Sequence, residues 1–249
     1  LVNEFDKISG EICTVGIGIP GFSSKDTGLV TNANSLWLND KPFKADLENA
    51  LKREVRLMND ANCFALSESI DGAGEKFESI FGIIIGTGFG GALSYKKEII
   101  EGANQIAGDW GHQPLPYPTD EEIKTDISCP SMNCGRALCA EQFMSGIGFA
   151  NVFNQKNNTN FDSHEIVELD KNGDPRANQE LQLYEDRMAR LMAVMIGIFD
   201  PQAIILGGGM SNIERLYKNI PNLISKYTFS NRVKTKVLKN FHGDSSGVR

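Results

Sequence analysis

The chain has 249 residues, 41% hydrophobic and 23% charged, with a formal net charge of −7. That is enough for one large or two modest domains with a sizeable core, and the acidic balance excludes a whole-surface basic footprint for nucleic acid. No apolar run approaches the ~20 residues of a membrane span, and the opening residues do not read as a secretory signal.

Residues 1–8 read as the end of a helix. Thr14 to Gly21 reads as a strand closing at a Pro-Gly turn. Asn32 to Trp37 is a polar loop, with Trp37 expected to anchor it. Phe43 to Lys52 has helical spacing, with Phe43, Leu47 and Leu51 on one face. Val55 to Met58 is a short strand that delivers Asn59-Asp60-Ala61-Asn62 at its carboxyl end, and Cys63 to Ile70 continues as a helix. Ile80 to Ile85 and Gly91 to Tyr95 form strands around Gly86-Thr87-Gly88-Phe89-Gly90-Gly91.

Residues 102–135 are loop-rich, with Pro114, Pro116, Pro118 and Pro130. Cys139 to Asn154 reads as a helix, and residues 155–175 as polar chain without a sustained apolar period. Residues 176–199 carry the clearest helical pattern, with a core stripe that includes Met188, Met192 and Met195. Asp200-Pro201 ends it. Ala203 to Leu206 is a buried-type strand, and Ile213 to Tyr227 another amphipathic helix. Strands alternate with helices, so the class is α/β. A smaller lobe over 1–103 and a larger lobe over 104–249 are expected, because strand-rich sequence gives way there to loops and long helices. The non-methionine start and the glycine-rich last residues point to a fragment lacking a first strand hairpin and a last helix.

Four constellations carry chemistry. An Asp at a strand's carboxyl end lies where ligands gather in open α/β sheets. Asp60 there is either a general base toward a hydroxyl or part of an Asx turn capping the next helix. The turn Gly86 to Gly91 can cradle phosphate on its backbone N–H groups, or be a bare hairpin. Gly207-Gly208-Gly209 precedes a helix, and helix N-termini attract anions; the alternative is a tight packing turn. Asp244 to Gly247 reads as a further turn of this kind. His112, Cys129, Cys134 and Cys139 offer the sulfur and imidazole donors that suit tetrahedral zinc; the alternative is reduced cysteines packed as small apolar groups. The five cysteines fit a reducing, cytoplasmic setting with a metal site better than a disulfide framework. Asp109 and Glu141 flank the four donors and can bond sugar hydroxyls. His164 and His242 read as solvated loop residues.

Taken in order, Gly18-Ile19-Pro20-Gly21, Asn59-Asp60-Ala61-Asn62, Ile85-Gly86-Thr87-Gly88, Gly108-Asp109-Trp110-Gly111-His112, the cysteine cluster, Leu206 to Gly209 and Gly243 to Gly247 resemble the ROK family of bacterial sugar kinases and related repressors. The resemblance covers essentially the whole chain. It implies an actin-like, ribonuclease-H-type two-lobed fold with Asp60 as catalytic base. Asn34, Asn59, Asp109, His112 and Glu141 would line a sugar pocket. Gly86, Thr87 and Gly88 with Gly207, Gly208 and Gly209 would hold ATP, which brings Mg²⁺ with it. His112, Cys129, Cys134 and Cys139 would hold a structural Zn²⁺.

The segment Asn32 to Asn39 looks closest to the fructokinase branch, so the expected reaction is ATP-dependent phosphorylation of a hexose, fructose first. Mannose, glucose or an N-acetylhexosamine are the alternative sugars, and a sugar-responsive transcriptional repressor is the alternative role. The expected partner is a small hexose, with a homodimer as the assembly and no membrane. Two departures stand out. Met132 occupies the position of the family's first zinc cysteine, with Cys129 three residues upstream, and Asp109 stands where the family has Glu. The family's amino-terminal Asp-x-Gly-Gly-Thr phosphate loop is not in this sequence.

Overall fold

The computed structural model describes residues 1–125, 127–131, 134–230 and 232–243. Helix α1 (Val2–Ser9) leads into β1 (Val15–Ile19), followed by the short antiparallel pair β2 (Phe22–Ser23) and β3 (Val30–Thr31). Helix α2 (Phe43–Leu51) then connects to β4 (Val55–Asn59), which pairs parallel to β1, and β4 runs directly into α3 (Asp60–Asp71). Strands β5 (Ser79–Ile85), β6 (Phe89–Tyr95) and β7 (Glu98–Ile99) form an antiparallel meander.

The rest of the chain is mostly helical. The helices are α4 (Asp120–Ile123), α5 (Ala140–Met144), α6 (Gly146–Asn157), α7 (Ser163–Lys171) and the long α8 (Pro175–Phe199). Strand β8 (Ala203–Gly207), helix α9 (Glu214–Ile224) and strand β9 (Lys236–Lys239) complete the described elements. The main sheet has the order β7-β6-β5-β8-β9, with β5, β8 and β9 parallel. No described helix is long and apolar enough to cross a membrane.

The sheet is covered on both faces, and the alternation along β5 shows why. Ile80 points with Ala203 and Ile205 toward Phe64 of α3. Phe81, Ile83 and Ile85 point the other way, into the cluster built with α5, α6 and α8. Strand β8 is buried at every position, as an apolar run flanked by two strands and two helical layers must be. Helix α8 begins at Asp174, whose carboxylate accepts the N–H groups of Arg176 and Ala177, and ends at Asp200 in the left-handed region (φ 49°). Its methionine stripe is core: Met188, Met192 and Met195 are all buried.

Several expectations are corrected. Trp37 does not anchor its loop; it is 73% exposed, and Leu38, one position on, is the buried side chain. The helix expected over Cys139 to Asn154 is two helices, broken at Ser145, whose hydroxyl caps α6 through the Gly148 N–H. The polar stretch 155–175 holds α7, started by an Asp162–Glu165 capping box. His242 is bonded to Asp71 (2.7 Å) rather than solvated. Strands β5 to β7 share one sheet with β8 and β9, so a lobe boundary near residue 103 would run through that sheet. Composition cannot show that pairing, because the partners are more than 100 residues apart in the chain. The turn expected over Asp244 to Gly247 lies outside the described residues.

The proline-rich segment ahead of α4 is held to α8 by buried charge. Arg187 donates to Glu122 (2.8 Å) and Glu180 (2.7 Å), and Arg190 donates to Glu122 (2.7 Å) and to the carbonyls of Pro116 (2.9 Å) and Tyr117 (2.7 Å). Burial alone pushes the Glu122 carboxyl up; hydrogen bonds from Arg190, the Thr119 N–H and Arg187 outweigh it and bring it down to about 2. The lowered value makes ionised Glu122 a source of stability above the ordinary Glu value of 4.5, lost as pH falls from there toward 2. Glu122→Ala removes the carboxylate that two buried guanidinium groups share, leaving Arg187 with Glu180 and Arg190 with Asp186 and two carbonyls, and is expected to cost about 3 kcal/mol in urea unfolding at neutral pH. In Glu122→Gln the fall in stability across that acid window should be shallower than in the wild type.

Candidate functional site

A cleft of about 480 Å³ opens where the carboxyl end of β4 meets the β5–β6 turn. Its wall includes Asn34, Asn59, Asp60, Gly86, Thr87, Gly88, Asp109, His112 and Glu141. The structure thus brings together in one cavity residues that the sequence scatters over more than 100 positions.

The β4–α3 junction resolves the two readings of Asn59-Asp60. Asn59 is the cap: its Oδ1 accepts the N–H groups of Ala61 (2.9 Å) and Asn62 (3.2 Å), and its Nδ2 donates to the Gly21 carbonyl (3.1 Å). Asp60 is the first residue of α3, and one of its oxygens accepts the Ala61 N–H (2.8 Å). Burial pushes the Asp60 carboxyl above the usual aspartate range, against the pull of the Ala61 and Asp60 N–H groups. A carboxylate lifted in this way is a stronger base than an exposed one. The expectation that Asn59 touches a ligand is weakened, because its side chain is committed to the cap and to Gly21.

Glu141 faces the cleft from the first turn of α5 and is buried. Its Oε2 accepts the Phe89 N–H (3.1 Å), and its Oε1 accepts from the Ser131 hydroxyl. Asn34 and Asp109 are exposed on the cleft wall. Gln105 was not visible in the sequence. It accepts the Lys25 N–H (3.0 Å) and donates to the Ser23 carbonyl (3.2 Å), so it ties the loop after β7 to the loop after β2 at the cleft. No motif surrounds it, and only the packing of two loops singles it out.

A second cavity of about 490 Å³ lies on the other side of the β5–β6 turn, and Gly86 and Thr87 line both. Of the second glycine turn, Gly209 reaches this cavity. Gly207 and Gly208 serve packing: a Cβ on Gly207 would sit 2.5 Å from the Phe64 ring, and one on Gly208 (φ 79°) would sit 2.6 Å from the Ile85 carbonyl. Glycine is thus required at both positions for packing alone, beside their expected place at the nucleotide. His164, expected in a solvated loop, is exposed on the first turn of α7, at the wall of this cavity.

The pattern of the ROK family matches residues 1–249. The chain belongs to the ROK family. The N-acetyl-D-glucosamine kinase of Vibrio cholerae serotype O1 is 35% identical over 249 residues, covering all of this chain and 82% of that protein. The ROK hexokinase of Thermus thermophilus superposes with a TM-score of 0.83 at 24% identity, covering 99% of this chain and 80% of its own. The ROK glucokinase of Streptomyces griseus, solved with glucose and AMPPNP, gives 0.80 at 25% identity, covering 96% and 80%. The fold is the actin-like two-lobed fold of ROK kinases. The resemblance to fructokinases gives way, since curated relatives across three genera are named N-acetyl-D-glucosamine kinases.

The four donors expected to hold a metal form a compact set. The donor atoms of His112, Cys129, Cys134 and Cys139 all lie within 4.8 Å of one another. Cys129 and Cys139 sulfurs are 3.4 Å apart, and Cys139 sulfur is 3.5 Å from His112 Nδ1. Those separations match the edges of a tetrahedron with bonds of ~2.0–2.3 Å to zinc. Burial pushes the Cys129 and Cys139 thiols up, so a cation among them is what would let the sulfurs ionise together. Met132, the departure from the ROK pattern, lies outside the described residues; Cys129 is within the set.

The cap analysis yields a test. Asn59→Ala removes two acceptor contacts and the tie to Gly21, and is expected to lower stability by about 1–2 kcal/mol in chemical denaturation. Asn59→Asp, which keeps the acceptor oxygen, should recover more than half of that loss.

Proposed function

We propose that this chain phosphorylates a hexose with ATP, and that the sugar is N-acetyl-D-glucosamine. The observation that carries the reading is the position of the Gly86–Thr87 turn in the walls of both cavities. A sugar in the Asp60 cavity and a nucleotide in the Gly209 cavity would meet at that turn, with the transferred phosphoryl group between them. Asp60 stands on the sugar side. The choice of sugar rests on curated relatives at 35% identity.

Asp60 takes the proton of a primary hydroxyl as that oxygen attacks the γ-phosphorus, and the bond to the β-phosphate oxygen breaks to release ADP. Positioning and charge stabilisation dominate this chemistry. Mg²⁺ bound with the nucleotide supplies charge neutralisation on the phosphate oxygens. Asn59 aims the Asp60 backbone through the cap, and Glu141, fixed by Phe89 and Ser131, offers a rigid acceptor to sugar hydroxyls. His112, Cys129, Cys134 and Cys139 would hold a structural Zn²⁺, which would lock the loop carrying His112 against α5. A ligand spanning both cavities closes the cleft and excludes water from the transfer.

A coupled ADP-release assay across hexoses tests the reading, with N-acetylglucosamine expected to give the highest kcat/KM. Asp60→Asn should lower kcat by about 10²–10⁴-fold and leave sugar affinity within about tenfold. In the wild type, kcat/KM should fall with acid along a limb that lies above the usual aspartate range, because the base must be ionised and its carboxyl is raised by burial. Retained turnover in Asp60→Asn would remove the residue from the base role. For the metal, elemental analysis should find about one zinc per chain. Cys139→Ser should lose it and unfold at lower temperature.

A further inference from the structure

A third recess, of about 210 Å³, opens beside the sugar cleft and shares Asn34, Thr87, Gly88 and Glu141 with it. Its remaining walls are Leu36, Pro130, Ser131 and Ile147. Two features set it apart. Its outer wall is apolar, and two large aliphatics are left half open on it: Leu36 is 47% exposed and Ile147 is 44% exposed. Its inner wall is polar and rigid, because the buried Glu141 is held by the Phe89 N–H (3.1 Å) and by the Ser131 hydroxyl.

The geometry points to this recess as the subsite for the acetamido substituent of a 2-acetamido hexose, with Leu36 as the residue that reads its methyl group. The inference rests on the kinase reading above and deepens it. An acetamido group carries an N–H, a carbonyl and a methyl in one plane. Glu141 is an acceptor for the N–H, Asn34 offers a donor to the carbonyl, and Leu36 with Ile147 offers apolar surface to the methyl. A plain hydroxyl at the same ring carbon is a single heavy atom and is too short to cover those side chains, so the two aliphatics would stay wet. Specificity would then come from apolar area buried with the N-acetyl sugar alone, beside an amide whose polar atoms are satisfied. Thr87 and Ile147 also border the nucleotide-side cavity, whereas Leu36 does not. Leu36 is therefore the position that separates the two occupants.

The test is the specificity ratio of kcat/KM for N-acetylglucosamine over glucose in the wild type, Leu36→Trp and Leu36→Ala, with calorimetric Kd for glucose where its turnover is too slow to follow. Leu36 is half exposed in a single 3-10 turn, so both variants are expected to fold. Leu36→Trp fills the recess and should lower the ratio at least ~tenfold, the scale of discrimination that one pocket shape imposes. Leu36→Ala should lower it about three- to fivefold through lost methyl contact, and Leu36→Met should restore it. Equal losses on both sugars, a change confined to the KM for ATP, or an unchanged ratio in both Trp and Ala variants overturns the subsite and leaves the kinase reading standing. A wild-type protein that turns over no hexose overturns both.

Discussion

The backbone of Gly111 lies directly on the backbone of Phe89, and the site depends on that contact. A Cβ on Gly111 would sit 1.8 Å from the Phe89 carbonyl oxygen, so no other residue fits there without moving one of the two segments. The contact seats the loop bearing Asp109 and His112 against the start of β6. The Gly111 carbonyl then accepts the Glu141 N–H (2.8 Å), and Glu141 returns a carboxylate oxygen to the Phe89 N–H. Three segments that are distant in sequence are locked in one triangle. It sets the β5–β6 turn, the amino end of α5 and the loop carrying His112 in a single arrangement. Trp110 closes the triangle from below, packed edge-on to Phe81 and stacked on Phe89.

Across the cleft the β4–α3 junction is rigid for a different reason. Capping and basicity are split between neighbours: Asn59 spends its side chain on the helix, which leaves Asp60 to point a carboxylate into the cavity. The Ala61 and Asp60 N–H groups stabilise the Asp60 charge and would by themselves make it a weaker base. Desolvation by the surrounding walls does the opposite. The same junction carries Phe64 and Ala65, which bury α3 against the sheet. Asp60 therefore sits at the end of an element whose core packing is secured along its length.

Much of this was legible in the chain. Helix α8 and strand β8 could be read because their periods are long and uninterrupted, and burial of one stripe or one run leaves few alternatives. Asp60, Glu141 and His112 could be named from their functional groups and the motifs around them, and the structure puts all three on the wall of one cleft. Helix α7 was not legible: Ile166 is its one buried side chain, and its stability comes from capping and from packing on α8, neither of which leaves an apolar period. Trp37 against Leu38 shows a second limit. Which of two adjacent apolar residues turns inward depends on the backbone path of a short 3-10 turn. Gly207 and Gly208 show a third, since the close approach of the Phe64 ring and of the Ile85 backbone that requires glycine there leaves no mark in the local sequence.

By itself the sequence determined the class, the long helices and main strands, the family and the identity of the residues able to carry acid–base and metal chemistry. These follow from local rules: the apolar period, the turn residues and the side-chain functional groups. Only the tertiary structure decided which groups share a cavity, which of Asn59 and Asp60 is spent on the helix, which glycines face open space, and that β5 to β7 join β8 and β9. Those outcomes are set by contacts between segments far apart in the chain, where packing and excluded volume, not local preference, select the arrangement.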